Sequence, residues 1–233
     1  MIPIRDETPR FSTPFITYFL VGLNTLIFLY EWLLGMQSPR ALNALIFQLG
    51  VVPTHVTEAL GGVPHYELSA AFLPILTSMF LHGSWLHVIG NMWILWIFGD
   101  NIEDYLGHFV YLVFYLVCGF AASVAHVLLN LNSGVPSIGA SGAIAGVMGA
   151  YFVLYPRGRV LSWFPPIFFF HLPAWVFLGY WFLMQFLSAT SIEAASQGGT
   201  GIAFWAHVGG FIAGIVLIKL LPERAHRYRY GTW

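Results

Sequence analysis

Gly139-Ala140-Ser141-Gly142-Ala143-Ile144-Ala145-Gly146-Val147-Met148-Gly149-Ala150-Tyr151-Phe152-Val153-Leu154-Tyr155 is an apolar run that stops at Pro156 and Arg157. As a helix its roughly 16 residues measure about 24 Å, against about 30 Å of hydrocarbon in a bilayer. Such a helix cannot reach both surfaces. If Arg157 and Arg159 stay at the inner surface, Ser141 begins below the outer one, and Asn132-Ser133-Gly134-Val135-Pro136 must dip into the membrane as a loop. Non-helical backbone at that depth is tolerated only where protein buries it or water lines it. The run therefore predicts a wet, outward-facing cavity with a serine beside it.

Composition agrees with a membrane setting. The 233 residues are 58% hydrophobic and 8% charged, whereas soluble domains carry about a quarter charged residues. A crossing helix needs about 20 apolar residues, and candidate spans fall at residues 15–34, 85–98, 108–129, 141–155, 166–187 and 203–221. The expected fold is an all-α membrane protein: a bundle of six transmembrane helices with a short fourth helix and a long first loop. Within that loop, residues 41–52 and 68–81 read as short helices lying in the interface. With the N-terminus inside, Arg5, Arg10, Arg157, Arg159, Lys219, Arg224, Arg227 and Arg229 all fall inside and only Arg40 outside, the asymmetry of the positive-inside rule. The expected layout is a cytoplasmic segment 1–14, one membrane domain 15–221 and a cytoplasmic basic tail 222–233, in a prokaryotic cytoplasmic membrane. The first span is longer than a signal-peptide core and reads as a retained helix. Cys118, the single cysteine, reads as a small core residue. The net charge of −1, with no long basic run, gives no sign of nucleic acid as a partner, and nothing sets an oligomeric state.

Small residues suggest which helices meet. Gly142 and Gly146 are four apart on the fourth span, and Ala206, Gly210 and Gly214 repeat that interval on the sixth. Such stripes let two helices approach closely. Contact between these spans would bring Ser141 toward His207, a lone histidine in an otherwise apolar segment. Ser141 at a helix start is either an N-cap or a nucleophile whose developing oxyanion meets free N–H groups. His207 is either a hydrogen-bonded packing residue or the base that takes the serine proton. His87 and Asn91, four apart on the second span, share a helix face and can both donate to an oxyanion; His82 reads as polar support. The bland account of these three is an interhelical hydrogen-bond network. Zinc is disfavoured, because no H-E-x-x-H pair occurs and His82 and His87 splay around a helix. No carboxylate falls near His207, so the grouping is a dyad and needs neither metal nor cofactor.

Three motifs in order, Gly139-Ala140-Ser141-Gly142-Ala143-Ile144-Ala145-Gly146, Ala206-His207-Val208-Gly209-Gly210 and His82-Gly83-Ser84-Trp85-Leu86-His87 with Asn91, resemble the rhomboid intramembrane serine proteases. Phe98-Gly99-Asp100-Asn101-Ile102-Glu103-Asp104-Tyr105-Leu106-Gly107 is similar to that family's turn after the second span. The resemblance covers about residues 72–216. It implies Ser141 as nucleophile and His207 as base. It further implies His87, Asn91 and the Ser141 N–H at the oxyanion, Gly139 in support, and Glu103 as a brace of the turn. Two departures stand out: the first loop lacks a Trp-Arg pair, and Ala145 stands where some members place an aromatic against the histidine. The implied activity is cleavage of single-pass transmembrane proteins within membrane lipid, with substrate helices unwinding near the outer face. The fifth span, with Trp175, Phe177, Trp181 and Phe182, followed by Gly198-Gly199-Thr200-Gly201, reads as a gate and cap or as a lipid-facing aromatic belt. The alternatives are an inactive relative that binds transmembrane helices and a transporter. A transporter would show paired central charges or broken helices, and neither is evident.

Overall fold

Proline, serine and glycine set the helix boundaries in the computed structural model, which describes residues 1–63, 68–195 and 203–224. Strand β1 (Ile2–Asp6) precedes α1 (Phe15–Gln37), α2 (Pro39–Leu49), α3 (Pro53–Leu60), α4 (Leu68–Thr77) and a 3-10 turn, Ser78–Phe80. Then come α5 (Trp85–Leu106), α6 (His108–Leu129), α7 (Ser141–Leu154), β2 (Arg159–Phe164), β3 (Phe168–Pro173), α8 (Ala174–Ala195) and α9 (Phe204–Leu220). Ser38 caps α2 by accepting from Ala41 N–H, with Pro39 at the first helical position, where its missing N–H costs nothing. Ser84 caps α5 through His87 N–H at 3.2 Å. Gly107 takes φ +78 between α5 and α6, a conformation that disfavours other residues.

The protein is mostly helical. Among the described residues, α1 and α6 are long and apolar enough to cross a membrane on their own. Residues 71–80 and α5, bent by 80°, form a third crossing if counted together, while α7, residues 174–190 of α8, and α9 are shorter apolar helices.

Glycine lets the central helices touch. A methyl group on Gly210 would overlap the Gly142 carbonyl oxygen, and one on Gly214 would overlap that of Gly146. Gly149 presses in the same way on the Phe211 carbonyl. Thus α7 and α9 cross at backbone contact, as the small-residue stripes suggested. From α6, Ala122 packs on Gly142 and Cys118 on Gly146. Both need small partners, which accounts for the buried Cys118.

Two expectations change. The fold is not purely helical, because β1, β2 and β3 form an antiparallel sheet in that order. Residues 166–173, expected within the fifth span, lie in the β2–β3 hairpin, and α8 starts at Ala174. Its first amides are met there by the Gly158 and Pro156 carbonyls, at 2.7 and 3.0 Å from Ala174 and Trp175. In addition, α5 does not end at Phe98 but runs to Leu106. Its polar second half is held by the N-terminal segment: Asn101 donates to the Thr8 carbonyl, while Asp104 accepts from Phe11 N–H and Ser12 Oγ. Residues 1–14 are therefore packed against the helices. Asp6, within that segment, accepts from Tyr151 and Thr8, yet burial still pushes its carboxyl pKa above the ordinary value.

The long first loop folds over the α6–α7 connection. Val51 pairs with Ser137, Thr54 N–H donates to Ser133 O, and Val51, Val56, Ala59, Ala71, Ile75 and Val127 form a small apolar cluster. The non-helical backbone just before α7, residues 136–140, is thus half-buried or buried against protein, while Leu131, Asn132, Gly134 and Val135 stay exposed.

Candidate active site

Ser141 is the first residue of α7, and Ala140 before it has helical backbone and makes no side-chain cap. The serine does not cap its own helix. Its Oγ lies 2.7 Å from His207 Nε2, across the α7–α9 contact. First-turn amides of a helix have no intrahelical acceptor, so N–H groups and the positive dipole end gather beside this oxygen.

The glycine crossings set this distance. His207 sits one turn before Phe211, and its neighbours Ala206 and Gly210 lie against Gly142. With both backbones fixed at contact, the two side chains have little room to separate. Both residues are half-buried and line a cavity of about 410 Å³ together with His87, Asn91 and Gly139.

His87 leans on Gly139. That glycine has φ +128, and a Cβ there would lie 2.7 Å from the imidazole. Its N–H donates to Ser78 O at 2.8 Å, which holds the approach to Ser141. Asn91, one turn beyond His87, places Nδ2 3.0 Å from the Nε2 of His82. A carboxamide has two N–H bonds, so with one directed at His82 the second is left for the cavity. His82 is buried behind it, its ring edge-on to His87 at 5.1 Å, and its backbone N–H donates to Glu31 at 3.1 Å.

Five sequence candidates, Ser141, His207, His87, Asn91 and Gly139, surround one cavity, and His82 supports two of them. Glu103 does not belong to this group. It lies inside α5, not in a turn after it, and is fully buried. There it accepts from Ile16 N–H at 2.9 Å, Thr17 N–H at 2.8 Å and Thr17 Oγ1 at 2.8 Å, with His108 Nδ1 at 2.6 Å. One carboxylate thus satisfies the free amides of α1 and ties them to the start of α6.

Sequence reading missed three residues. Gln185 of α8 places Oε1 2.7 Å from His207 Nδ1. Trp181, noted only as part of a gate, packs on His207 with ring centroids 5.8 Å apart. It occupies the aromatic role that Ala145 leaves vacant. Glu31, a lone acid in α1 and 1% exposed, holds the His82 backbone. Each was visible as a polar or amphipathic residue in an apolar helix, where such groups are costly unless partnered. The cap expected at Gly198-Gly199-Thr200-Gly201 lies outside the described residues, as do Arg227 and Arg229 of the expected tail.

Fold and site together define an apolar helical protein that keeps a serine, a histidine and oriented hydrogen-bond donors in one internal cavity. The chain belongs to the rhomboid family: the model of the Rhomboid domain matches residues 69–224. It is similar to the presenilin-associated rhomboid-like protein, mitochondrial, of Rattus norvegicus, at 35% identity over 131 residues, 55% of this chain and 35% of that protein. Rhomboid protein 1, mitochondrial, of Saccharomyces cerevisiae is 27% identical over 224 residues, 92% of this chain and 55% of that protein. Rhomboid-like protein 11, chloroplastic, of Arabidopsis thaliana is 31% identical over 171 residues, 68% of this chain and 55% of that protein. The chain spans between 35% and 55% of the length of these relatives. Their names correct one expectation. They are mitochondrial and chloroplastic proteins and point to a eukaryotic organellar membrane, not to a prokaryotic cytoplasmic one, so the cytoplasmic labels on the chain ends fall as well.

Proposed function

We propose that this protein is an intramembrane serine endopeptidase that cuts transmembrane segments of single-pass membrane proteins, with Ser141 as nucleophile and His207 as base. The observation that carries the reading is the 2.7 Å contact between Ser141 Oγ and His207 Nε2, inside a cavity at a helix N-terminus. Residues 15–221 act as one membrane domain of six helices, with both ends on the same side of an organellar membrane.

Ser141 Oγ attacks the scissile carbonyl carbon as its proton passes to His207 Nε2. The oxygen of the tetrahedral intermediate takes the negative charge and is met by Ser141 N–H, His87 and Asn91, donors fixed before charge develops. His207 then protonates the leaving amine, the C–N bond breaks and an acyl-serine remains. A water molecule gives its proton to His207, attacks the acyl carbon and releases the acid, and the proton returns to Ser141. No metal or cofactor enters any step.

Labelling of the protein in lipid by a fluorophosphonate, comparing the parent with Ser141→Ala and His207→Ala, tests this. Labelling that needs both residues is the expected result. A folded parent that stays unlabelled and leaves a single-pass substrate intact would favour a non-catalytic role in binding transmembrane helices.

A further inference from the structure

His207 is held on more than one side. Ser141 Oγ lies at Nε2, and on the opposite edge of the ring Gln185 Oε1 lies at Nδ1, also at 2.7 Å. Trp181 covers the ring at a centroid distance of 5.8 Å, the planes 37° apart. Trp181 also packs on Phe211, one turn along α9 from His207, at 6.1 Å. Trp181 and Gln185 are four residues apart, hence neighbours on one face of α8. One helix face thus grips the imidazole by its face and by its edge.

The chemistry of that edge is directional. A carboxamide oxygen accepts and cannot donate, so the Nδ1 facing it carries the proton. A neutral imidazole has one N–H, and Nε2 is then left with a lone pair toward Ser141 Oγ–H. The other tautomer would present an N–H to the serine and could not take its proton. A carboxylate at this edge would do the same orienting work, but an ionised group at membrane depth is costly. An amide orients the ring without a second charge.

We propose that Gln185 is a positioning residue for His207, fixing the tautomer and ring orientation that let Nε2 act as base, with Trp181 as its packing partner. Activation of Ser141 then depends on α8 being seated against α9. The proposal rests on the reading of Ser141 and His207 as a catalytic dyad.

The test uses the full chain in lipid nanodiscs and three proteins: the parent, Gln185→Met, which keeps length but has no acceptor oxygen, and Gln185→Glu, which keeps one. Cleavage of a single-pass substrate should show kcat down about tenfold or more in Gln185→Met with KM little changed, the scale of a disturbed general base. Gln185→Glu should recover most of that loss. Nitrogen-15 spectra of histidine-labelled protein, with His207→Ala assigning the resonance, should show Nδ1–H in the parent and a shift toward Nε2–H in Gln185→Met. Unchanged kcat in a folded Gln185→Met, equal losses in both variants, or Nε2–H in the parent would overturn the proposal. If the parent neither cleaves nor labels, the dyad reading fails instead. The tautomer of His207 in the parent and in Gln185→Glu then decides the Gln185 contact, even if Gln185→Met does not fold.

Discussion

Gly139 shows how much one residue without a side chain can hold. Its φ of +128 is strained for any L side chain, and a Cβ would strike the His87 ring at 2.7 Å. Gly139→Ala is expected to displace His87 and the approach to Ser141 while leaving the α7–α9 crossing intact. The protein should therefore stay folded but lose activity, on the order of 10² if the variant removes one oxyanion donor. Fluorophosphonate labelling and thermal unfolding, measured together, separate the two effects; full activity would show that His87 does not depend on this contact. At this scale the site was legible where chemistry and glycine coincide in the sequence. Ser141 and His207 stood out because each is polar in an apolar run and each carries a stripe of small residues beside it. Gln185 and Glu31 were not legible as partners, because their relevance lies in where α8 and α1 pack, which spacing along the chain does not encode. The aromatic expected against His207 was sought at Ala145, yet Trp181 supplies it from another helix.

Helices α7 and α9 set the geometry of the site by touching backbone to backbone. Gly214 lies two turns beyond His207 and meets the Gly146 carbonyl, which cannot move aside as a flexible side chain can. Gly214→Val should push α9 away from α7 and destabilise the fold by about 1–3 kcal/mol or more, the cost of overpacking. Because the same crossing sets the Ser141–His207 distance, labelling should fall in the folded fraction too. Ile212, 48% exposed on the same helix, supplies the control: Ile212→Val should change neither unfolding temperature nor labelling. A Gly214→Val protein as stable and as reactive as the parent would remove the crossing from the account. Element positions were largely readable from apolar runs, and the stripes gave the right helix pair. The misreadings have physical causes. Residues 166–173 looked like the start of a span because Ile167, Phe168, Phe169 and Phe170 are apolar. They are in fact the turn and second strand of a hairpin in a sheet completed by the distant β1, and those four side chains are exposed. The second half of α5 was read as a turn from the family resemblance, yet it is helical, and residues 8–17 hydrogen-bond its Asn101, Glu103 and Asp104.

Over the whole molecule, the size and setting of the cavity constrain what the proposed protease could cut. At about 410 Å³ it has the volume of a small-molecule pocket, whereas an intact helix with its side chains is about 10–12 Å across. A peptide carbonyl in a helix is also hydrogen-bonded and shielded by neighbouring side chains. On the proposed function, substrate chain therefore enters unwound, and the energy of unwinding becomes part of the barrier. Gly costs a helix interior about 1 kcal/mol and Pro about 3 kcal/mol relative to Ala, so a few such residues ease local opening by amounts that matter for rate. A single-pass substrate with Gly or Pro near the Ser141 level is thus expected to be cut more than tenfold faster than one with uninterrupted Leu, since each 1.4 kcal/mol or so of barrier is about a factor of ten. The comparison should be made at equal reconstitution in the same lipid, with fluorophosphonate labelling as the reference. Labelling needs no helix to unwind and should be indifferent to which substrate is present below saturation. Equal cleavage of both substrates would mean that helix opening is not part of the rate-limiting barrier. The cavity would then have to admit a helix whole by movement of α8, the element that also holds His207 in place.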